Sequence, residues 1–260
     1  MRIGVAGITG RVSSLIIQEA ATEKWADVRI GAGLSRTCNE QNSKDHRFPI
    51  FSPENLDQFL ENCDCVIDFT SPESTIRIAE IASKRNKPMI IGTTGLSKVQ
   101  ETELKGFSKK MPVVYAANMS LGVNLLLALA QKAASSLGPE WDIEILETHH
   151  KYKKDAPSGT ALALGHAVAE GRGVNLESAG VFERYGDTGE RKDGTIGFAV
   201  QRGGDVVGEH DVSFFGSGEH ICLSHVATDR SLFARGAVKA AQWAVNQHPG
   251  LYSMKDVLGL

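Results

Sequence analysis

The sequence predicts an α/β fold in which a doubly wound parallel sheet is joined to a second α+β domain with a mixed or antiparallel sheet. Strand-like runs alternate with helical segments from Arg2 to about residue 116, which is the pattern of a parallel sheet. After Asn118 the alternation stops, and strand-like runs at 195–201, 206–214 and 220–227 follow one another closely. We therefore expect one domain from residues 1–119 and 231–260 and a second domain from residues 120–230.

Each element of the first domain has a local signal. Residues 2–6 form a short apolar run typical of a buried strand, residues 7–10 form a turn, and residues 12–21 have helical spacing. The other predicted strands are 28–34, 65–69, 88–91 and 113–116. The other predicted helices are 73–85, after Ser71-Pro72, and a charged segment that ends near residue 110.

The second domain combines helices and strands in a different order. A helix at 123–136 precedes a strand at 142–148, and another helix begins near Ser158, before the three closely spaced strands. Residues 231–246 are helical again, and we expect this helix to return to the first domain.

The composition excludes several classes of protein. The chain has 260 residues, of which 42% are hydrophobic, so it can bury a substantial core. The formal net charge is −3 with acids and bases interspersed, and no nucleic-acid surface is predicted. The most apolar stretch, 121–130, is interrupted by Asn124 and falls far short of the roughly 20 residues that cross a bilayer.

The cysteine pattern indicates a reducing compartment. No CxxC pair occurs among the four cysteines, which are Cys38, Cys63, Cys65 and Cys222. We therefore expect neither a metal site nor a disulfide, as in a cytoplasmic protein. A signal peptide is not predicted, because a strand-like run begins within two residues of Met1.

A glycine turn follows the first strand and opens the first helix. Gly7-Ile8-Thr9-Gly10-Arg11-Val12 places glycine where the backbone can approach a pyrophosphate, and it aims a helix N-terminus at the anion. The spacing is a relaxed GxxG, so alone it is a weak signal, and a tight turn without a ligand is the alternative. Its place at the start of an alternating α/β chain favours a Rossmann-like dinucleotide site.

The tip of the second predicted strand indicates which dinucleotide binds. An acidic residue there would bind the ribose 2′-hydroxyl of NAD. The tip reads Gly33-Leu34-Ser35-Arg36, and Arg36 can hold a 2′-phosphate through charge-assisted hydrogen bonds. We hypothesise a preference for NADPH and leave the use of NADH open. A solvated surface arginine is the alternative interpretation.

Two further loops end predicted strands. They read Gly92-Thr93-Thr94-Gly95 and Ala116-Ala117-Asn118-Met119. Ligands of open parallel sheets lie beyond the carboxyl ends of the strands, so both loops are candidates for holding a nicotinamide ribose and ring. Ordinary turn chemistry is an equally good interpretation of these residues.

A second candidate site lies at a predicted helix start. Pro157 disfavours helix before it, and Ser158 is a good N-cap. The N–H groups of Gly159 and Thr160 in the first turn then form an anion site.

The residues before this helix start are dense in ionisable groups. Lys153 adds positive charge, and His149 and His150 can exchange protons near neutral pH. The combination suits a small carboxylate substrate that needs a proton. A solvated basic loop is the alternative, and a metal site is disfavoured because the adjacent histidines have no third ligand at suitable spacing.

From end to end, the chain resembles the dihydrodipicolinate reductase family of the diaminopimelate and lysine pathway. The most specific block is 147–160, and the others are 5–11, 68–72, 92–95, 116–124, 195–199 and 208–210. The resemblance implies NAD(P)H-dependent reduction of 4-hydroxy-tetrahydrodipicolinate, a small cyclic dicarboxylate, to tetrahydrodipicolinate. It also implies a homotetramer built through the sheet of the second domain.

The resemblance further implies a role for individual residues. His149 matches the general acid that protonates ring carbon 3 after hydride reaches carbon 4, and Lys153 matches the catalytic lysine. The residues that match the substrate-carboxylate binders are His150, Ser158, Gly159 and Thr160. Those that match the cofactor-binding positions are Gly7, Ile8, Thr9, Gly10, Arg11, Val12, Arg36, Gly92, Thr93, Thr94, Ala116, Ala117, Asn118 and Met119. The first domain is thus the dinucleotide-binding one, and the second binds substrate and forms the oligomer.

Two other functions stay open from the residues alone. One is another two-domain NAD(P)-dependent dehydrogenase that acts on a small amino acid or sugar, and the other is a non-catalytic NADPH-sensing protein. The run from His149 to Lys153, joined to residues 155–160, argues against the first. A sensor would not need both a general acid and a carboxylate-binding helix start.

Overall fold

A computed structural model describes residues 1–37 and 47–260 of the chain. These residues form two compact units, one from Met1–Leu121 with Arg230–Leu260 and one from Gly122–Asp229. Cys38 lies outside the described residues, whereas Cys63, Cys65 and Cys222 are free thiols. None of the described helices combines the length and apolar character that crossing a membrane requires.

The first unit is built on a parallel sheet. Its strands are β1 (Arg2–Ala6), β2 (Arg29–Leu34), β3 (Ile50–Phe51), β4 (Cys65–Asp68), β5 (Met89–Ile91), β6 (Pro112–Tyr115) and β12 (Gly250–Tyr252). Among the described residues the sheet has seven strands in the order β12-β6-β5-β4-β1-β2-β3, and all neighbours are parallel. The order reverses between β1 and β4, which is where doubly wound sheets form a ligand crevice.

Helices cover both faces of this sheet. They are α1 (Arg11–Ala20), α2 (Leu56–Glu61), α3 (Pro72–Lys84), α4 (Lys98–Phe107), α8 (Ser231–Ala244) and α9 (Met254–Leu258), with single 3₁₀ turns at Glu23–Trp25 and Pro53–Asn55. Successive strand residues point to opposite faces. Ile90 therefore packs in one core cluster with α1 and α8, and Ile91 packs in another with α2, α3 and α4.

The second unit has a mixed sheet with helices on one face. Its elements are α5 (Leu121–Ser136), β7 (Asp142–His149), α6 (Gly159–Arg172), α7 (Leu176–Ala179), β8 (Gly180–Val181), β9 (Ile196–Arg202), β10 (Gly208–Gly216) and β11 (Glu219–Ala227). The strand order among the described residues is β11-β10-β7-β9-β8. β10 is antiparallel to β7 and β11, whereas β9 is parallel to β7 and β8. Core residues of β7 and β10 pack with those of α5 and α6.

The predicted fold class is confirmed, and most predicted elements differ from the observed ones by one or two residues at each end. The bounds of β1 are those expected, whereas the charged helix α4 ends at Phe107, three residues early. The prediction missed β3, β8 and β12, and also α2, α7 and α9. Each of these strands has three residues or fewer and each of these helices six or fewer, which is too short to show a hydrophobic period.

Candidate active site

The candidate general acid lies at the end of β7, beside a buried glutamate. Glu147 and His149 are two residues apart on one strand, so their side chains share a face of the sheet. His149 Nδ1 lies 2.6 Å from Glu147 Oε2. The Glu147 side chain is only 1% exposed. It also forms a bidentate ion pair with Arg202, in which both nitrogen–oxygen distances are 2.8 Å. His149 is therefore held in a fixed orientation by a carboxylate whose charge is balanced by Arg202.

The start of α6 is tied to the same carboxylate. Ser158 is the N-cap, and its Oγ accepts a hydrogen bond of 3.1 Å from the Ala161 N–H, as the sequence predicts. The Ser158 N–H donates to Glu147 Oε1 at 2.9 Å, and Ser158 Oγ lies 3.1 Å from His210 Nε2. Gly159 is exposed, with open space where a Cβ would stand. The first turn of α6 thus faces outward beside His149.

The loop between β7 and α6 carries the candidate lysine. The His150 N–H donates to the Val206 carbonyl at 2.8 Å, and the Lys153 N–H donates to the His150 carbonyl at 3.1 Å. Lys153 Nζ forms an ion pair of 2.8 Å with Asp155, whose side chain is largely exposed. These backbone bonds hold Lys153 beside His150, and its charge is near enough to His149 to lower the pKa of that ring.

Burial dominates the electrostatics of the two histidine rings that meet here. The rings of His149 and His210 pack edge to face with centroids 5.1 Å apart. Burial lowers the pKa of His149, with Lys153 and Arg202 adding to the effect and Glu147 opposing it. Burial and the neighbouring His149 lower the pKa of His210 to about 4, so His210 is neutral near pH 7.

Glu147 shows the opposite balance. Burial alone would raise its pKa, but hydrogen bonds from Arg202, His149 and the Ser158 N–H outweigh burial and hold the pKa below its ordinary value. The carboxylate therefore stays charged at neutral pH, which is consistent with its complete set of donors.

The predicted glycine turn is present at the carboxyl end of β1. Gly7 has a φ of +74°, and the N–H groups of both Gly7 and Ile8 donate to the Leu34 carbonyl. The Ile8 side chain is 4% exposed, so it packs inward, while Gly7 supplies the left-handed backbone of the turn. Gly10 is the N-cap of α1, and no side chain caps this helix. The amides of the first turn, which begins with Arg11 and Val12, thus lack a side-chain acceptor.

A cavity of about 300 Å³ joins this turn to the tip of β2. Its lining includes Thr9, Gly10, Ser35 and Arg36. Thr9 and Arg36 are exposed, and the described residues that line the cavity include no carboxylate. The structure thus places the glycine turn and Arg36 around one cavity.

The loop after β5 is held by a buried aspartate. Asp68, 0% exposed, accepts hydrogen bonds from the hydroxyls of Thr70, Thr75 and Thr93, and the Thr70 N–H donates to Thr93 Oγ1 at 2.9 Å. A Cβ at Gly92 would overlap the Phe69 ring at 2.2 Å, so only glycine fits there. Thr93 is consequently buried in this network.

The outer part of that loop and the loop after β6 present small groups. Thr94 is exposed, and so is Ala117, whereas Ala116 is half-buried and its N–H donates to the Ile91 carbonyl at 3.2 Å. Asn118 Oδ1 accepts from the Ser120 N–H at 2.9 Å. Met119 is 1% exposed and packs in the core of the unit, so its side chain is not available to a ligand on the surface.

Comparison with known proteins gives consistent matches along the chain. Residues 1–119 match the family model described as dihydrodipicolinate reductase, N-terminus, and residues 122–258 match its C-terminus model. The 4-hydroxy-tetrahydrodipicolinate reductase of Methylocella silvestris is 48% identical over 272 aligned residues, which cover 100% of this chain and 97% of that one. That of Bartonella quintana is 47% identical over 271 residues, covering 100% and 98%. The chain belongs to the dihydrodipicolinate reductase family.

Solved structures agree with this membership at the level of the fold. Dipicolinate-bound dihydrodipicolinate reductase from Paenisporosarcina sp. TG-14 superimposes with a TM-score of 0.79 at 23% identity, covering 97% of each chain. A probable dehydrogenase from Thermotoga maritima has a TM-score of 0.62 at 12% identity, covering 99% of this chain and 92% of that one. As a member of the dihydrodipicolinate reductase family, the protein is an oxidoreductase of the diaminopimelate and lysine pathway that uses a nicotinamide dinucleotide.

Sequence reasoning about this family member missed several residues that organise the site. They are Glu147, Arg202 and His210 in the second unit and Asp68 in the first. Glu147, Asp68 and His210 lie in sequence blocks that carry the family resemblance, but no role follows from their type. The alternation of β7 could have indicated Glu147, because a glutamate on the same face as His149 is its nearest neighbour along the strand.

Proposed function

We propose that the protein reduces 4-hydroxy-tetrahydrodipicolinate to tetrahydrodipicolinate, with NADPH as the preferred reductant and His149 and Lys153 as the catalytic residues. One observation carries the assignment of these roles. A single buried carboxylate, Glu147, holds both the imidazole of His149 and Ser158, the N-cap of α6. A proton donor and an anion-binding helix start therefore lie side by side, which is what the protonation of a dicarboxylate requires.

The residues of the first unit fit a phosphorylated dinucleotide. The cavity of about 300 Å³ is lined by the glycine turn and by Arg36, and a Cβ at Gly7 would lie 3.0 Å from the Phe69 carbonyl oxygen. The turn thus needs glycine, as a close approach of backbone to pyrophosphate does. The amides at the start of α1 would bind the pyrophosphate, with Thr9 and Gly10 beside them.

The choice between the two dinucleotides rests on Arg36. Its guanidinium is exposed at the tip of β2, beside Ser35, where a 2′-phosphate can accept charge-assisted hydrogen bonds. The described lining of this cavity has no carboxylate to bind a 2′-hydroxyl. NADPH is therefore proposed as the preferred cofactor, with NADH as a weaker alternative. The loops at Gly92–Thr94 and Ala116–Met119 would hold the nicotinamide end, Met119 through its backbone.

The residues of the second unit then bind and protonate the substrate. Loss of water converts the hydroxylated ring to a conjugated imine, and bound NADPH supplies the hydride that adds to ring carbon 4. His149 donates a proton to carbon 3, and Lys153 offsets the negative charge of the substrate and the transition state. The amides of Gly159 and Thr160 bind a substrate carboxylate at the start of α6.

Ser158 and His150 are proposed to complete this carboxylate site. Ser158 Oγ already accepts the Ala161 N–H and touches His210, so Ser158 contributes mainly by holding the first turn of α6 in place. The ring of His150 has a buried Nδ1 without a hydrogen-bond partner among the described residues. His150 would contact a substrate carboxylate through its ring, whose Nδ1 has this unused hydrogen-bonding capacity.

The assembly is proposed to be a cytoplasmic homotetramer formed through the sheet of the second unit. β11 lies at the edge of this sheet among the described strands and exposes Ile221 and Val226, at 40% and 59%. An exposed apolar edge strand presents unpaired backbone groups with which another chain can pair. Sedimentation velocity tests the proposal, and a monomer at micromolar concentration would contradict it. The free thiols of Cys63, Cys65 and Cys222 are consistent with a reducing compartment.

A coupled assay tests the proposed activity. The preceding synthase makes the substrate from aspartate semialdehyde and pyruvate, and NADPH absorbance then reports turnover. His149→Gln is expected to lower kcat by roughly 10²–10⁴-fold, whereas His166→Gln, on the exposed side of α6, is expected to match the wild type. Binding of NADPH without oxidation would indicate a sensor instead of a reductase, and an active His149→Gln variant would contradict the assignment of the proton donor.

A further inference from the structure

The carboxylate of Glu147 is saturated with hydrogen-bond donors. Oε2 accepts from His149 Nδ1 and Arg202 Nη1, and Oε1 accepts from the Ser158 N–H and Arg202 Nη2. The side chain is 1% exposed, so these protein groups replace water completely. A buried charge is retained only when it is paired and hydrogen-bonded in this way.

Sheet register brings the three charged groups together. In the parallel pairing of β7 with β9, His149 stands opposite Arg202. Glu147 is two residues before His149 on the same face, so the guanidinium of Arg202 reaches the carboxylate of Glu147 from the adjacent strand. The Arg202 side chain is also anchored to the Asp155 carbonyl at 2.8 Å. Arg202 therefore fixes the position of the Glu147 carboxylate and balances its charge.

The ionised carboxylate determines which ring nitrogen of His149 carries a proton. A carboxylate can only accept hydrogen bonds, so Nδ1, at 2.6 Å, must be the N–H of the neutral ring. Nε2 is then the nitrogen that gains and loses a proton. Nε2 points toward Gly208, where a Cβ would approach it to 2.9 Å, so the absence of a side chain at 208 keeps this edge of the ring clear.

We propose that Glu147 is the positioning residue for the proton donor: it keeps Nδ1 of His149 protonated so that Nε2 exchanges the proton, and Arg202 holds the carboxylate of Glu147 in place. The inference rests on the proposed function only for the identity of the group that receives the proton. Because Glu147 also accepts the Ser158 N–H, the same carboxylate aligns His149 with the start of α6.

Charged and titratable groups face His149 from each neighbouring element. Glu147 lies on its own strand, Arg202 on β9, His210 on β10 and Lys153 on the loop before α6, with His225 on β11 next to His210. Glu147 raises the pKa of His149, whereas Lys153 and Arg202 lower it. Loss of the charge on Glu147 must therefore move the pKa of His149 down. Loss of the charge on Arg202 must move it up, because His149 and the Ser158 N–H still donate to the ionised carboxylate of Glu147.

The first test determines which ring nitrogen of His149 carries the proton in the wild-type protein. Nitrogen NMR on the ¹⁵N-histidine-labelled full chain, assigned by comparison with His149→Gln, distinguishes a protonated from an unprotonated ring nitrogen. We expect the neutral ring to carry its proton on Nδ1. A neutral ring protonated on Nε2 would overturn the inference. This measurement needs neither substrate nor a variant of Glu147.

The second test uses the opposite signs of the two charges. A proton donor acts in its protonated form, so kcat/KM falls as pH rises through the pKa of His149. Glu147→Gln is expected to move this fall to lower pH and to reduce kcat about 10- to 100-fold, which is no more than the lower end of the roughly 10²–10⁴-fold that a positioned proton donor contributes. Arg202→Gln is expected to move it to higher pH, and Arg202→Lys to restore the wild-type profile.

A purely structural role predicts a different result. If Glu147→Gln and Arg202→Gln only loosened the fold, both would lose activity without a change in the pH at which kcat/KM falls, or both would shift that pH in the same direction. Either outcome refutes the inference. Glu170→Gln, on the exposed surface of α6, serves as the matched control and should keep the wild-type profile. If the wild type fails to reduce the substrate, the proposed function is wrong, and the NMR result alone decides whether Glu147 sets the state of His149.

Discussion

Replacement of Gly7 by alanine tests the physical basis of the proposed nucleotide-binding turn. Gly7 has a φ of +74°, and the added methyl group would stand 2.9 Å from Thr70 Cγ2 and 3.0 Å from the Phe69 carbonyl oxygen. A side chain in the left-handed region costs about 1–3 kcal/mol, and forcing a methyl group into a tight site costs about 1–3 kcal/mol. We expect Gly7→Ala to lower the free energy of unfolding by about 2–6 kcal/mol.

Part of this strain can be relieved if the turn moves outward. That movement would weaken the hydrogen bonds from Gly7 and Ile8 to the Leu34 carbonyl and would displace the amides at the start of α1. The Kd for NADPH should then rise about tenfold or more, since a tenfold change corresponds to about 1.4 kcal/mol. Isothermal titration calorimetry measures the Kd, and urea unfolding measures the stability.

A second glycine provides the matched control. Gly106 is exposed in α4, and open space surrounds the position of its missing Cβ. Gly106→Ala is therefore expected to stabilise the protein by about 0.5–1 kcal/mol and to leave the Kd for NADPH unchanged. A Gly7→Ala protein with wild-type stability and wild-type affinity would refute the reasoning, because it would show that the turn does not need the left-handed backbone.

Three further changes test other parts of the site. Lys153→Ala should lower kcat and raise KM for the dicarboxylate, and steady-state kinetics with neither change would contradict its role. Arg36→Ala should raise KM for NADPH about 10- to 100-fold and for NADH less than about twofold, and equal losses would exclude 2′-phosphate recognition. Ser158→Ala removes the acceptor of the Ala161 N–H and the partner of His210, so urea unfolding should show a loss of about 1–3 kcal/mol. Unchanged stability would count against this cap.

The features predicted well are those with a local cause. β1 has the predicted bounds because its apolar run is bounded directly by the turn at Gly7. Ser158 is the predicted N-cap because its side chain acts on an amide three residues away. In both cases the groups that interact are close in sequence, so residue type and spacing are enough to predict the structure.

The long-range contacts around His149 could not be predicted in this way. Arg202 is 55 residues from Glu147, and His210 is 52 residues from Ser158. Both pairs exist because β9 and β10 flank β7 in a particular register, with His149 opposite Arg202 and Glu147 opposite His210. A shift of one residue in either pairing would send these side chains to the other face of the sheet.

The amino-acid sequence by itself determined the family resemblance, the doubly wound first sheet and the identity of the ionisable groups from His149 to Lys153. Only the tertiary structure decided that Glu147 is buried, charged and bonded to both His149 and Ser158. The reason is that chemical type is carried by each residue alone, whereas the charge state and orientation of a side chain depend on neighbours that strand pairing brings from distant parts of the chain.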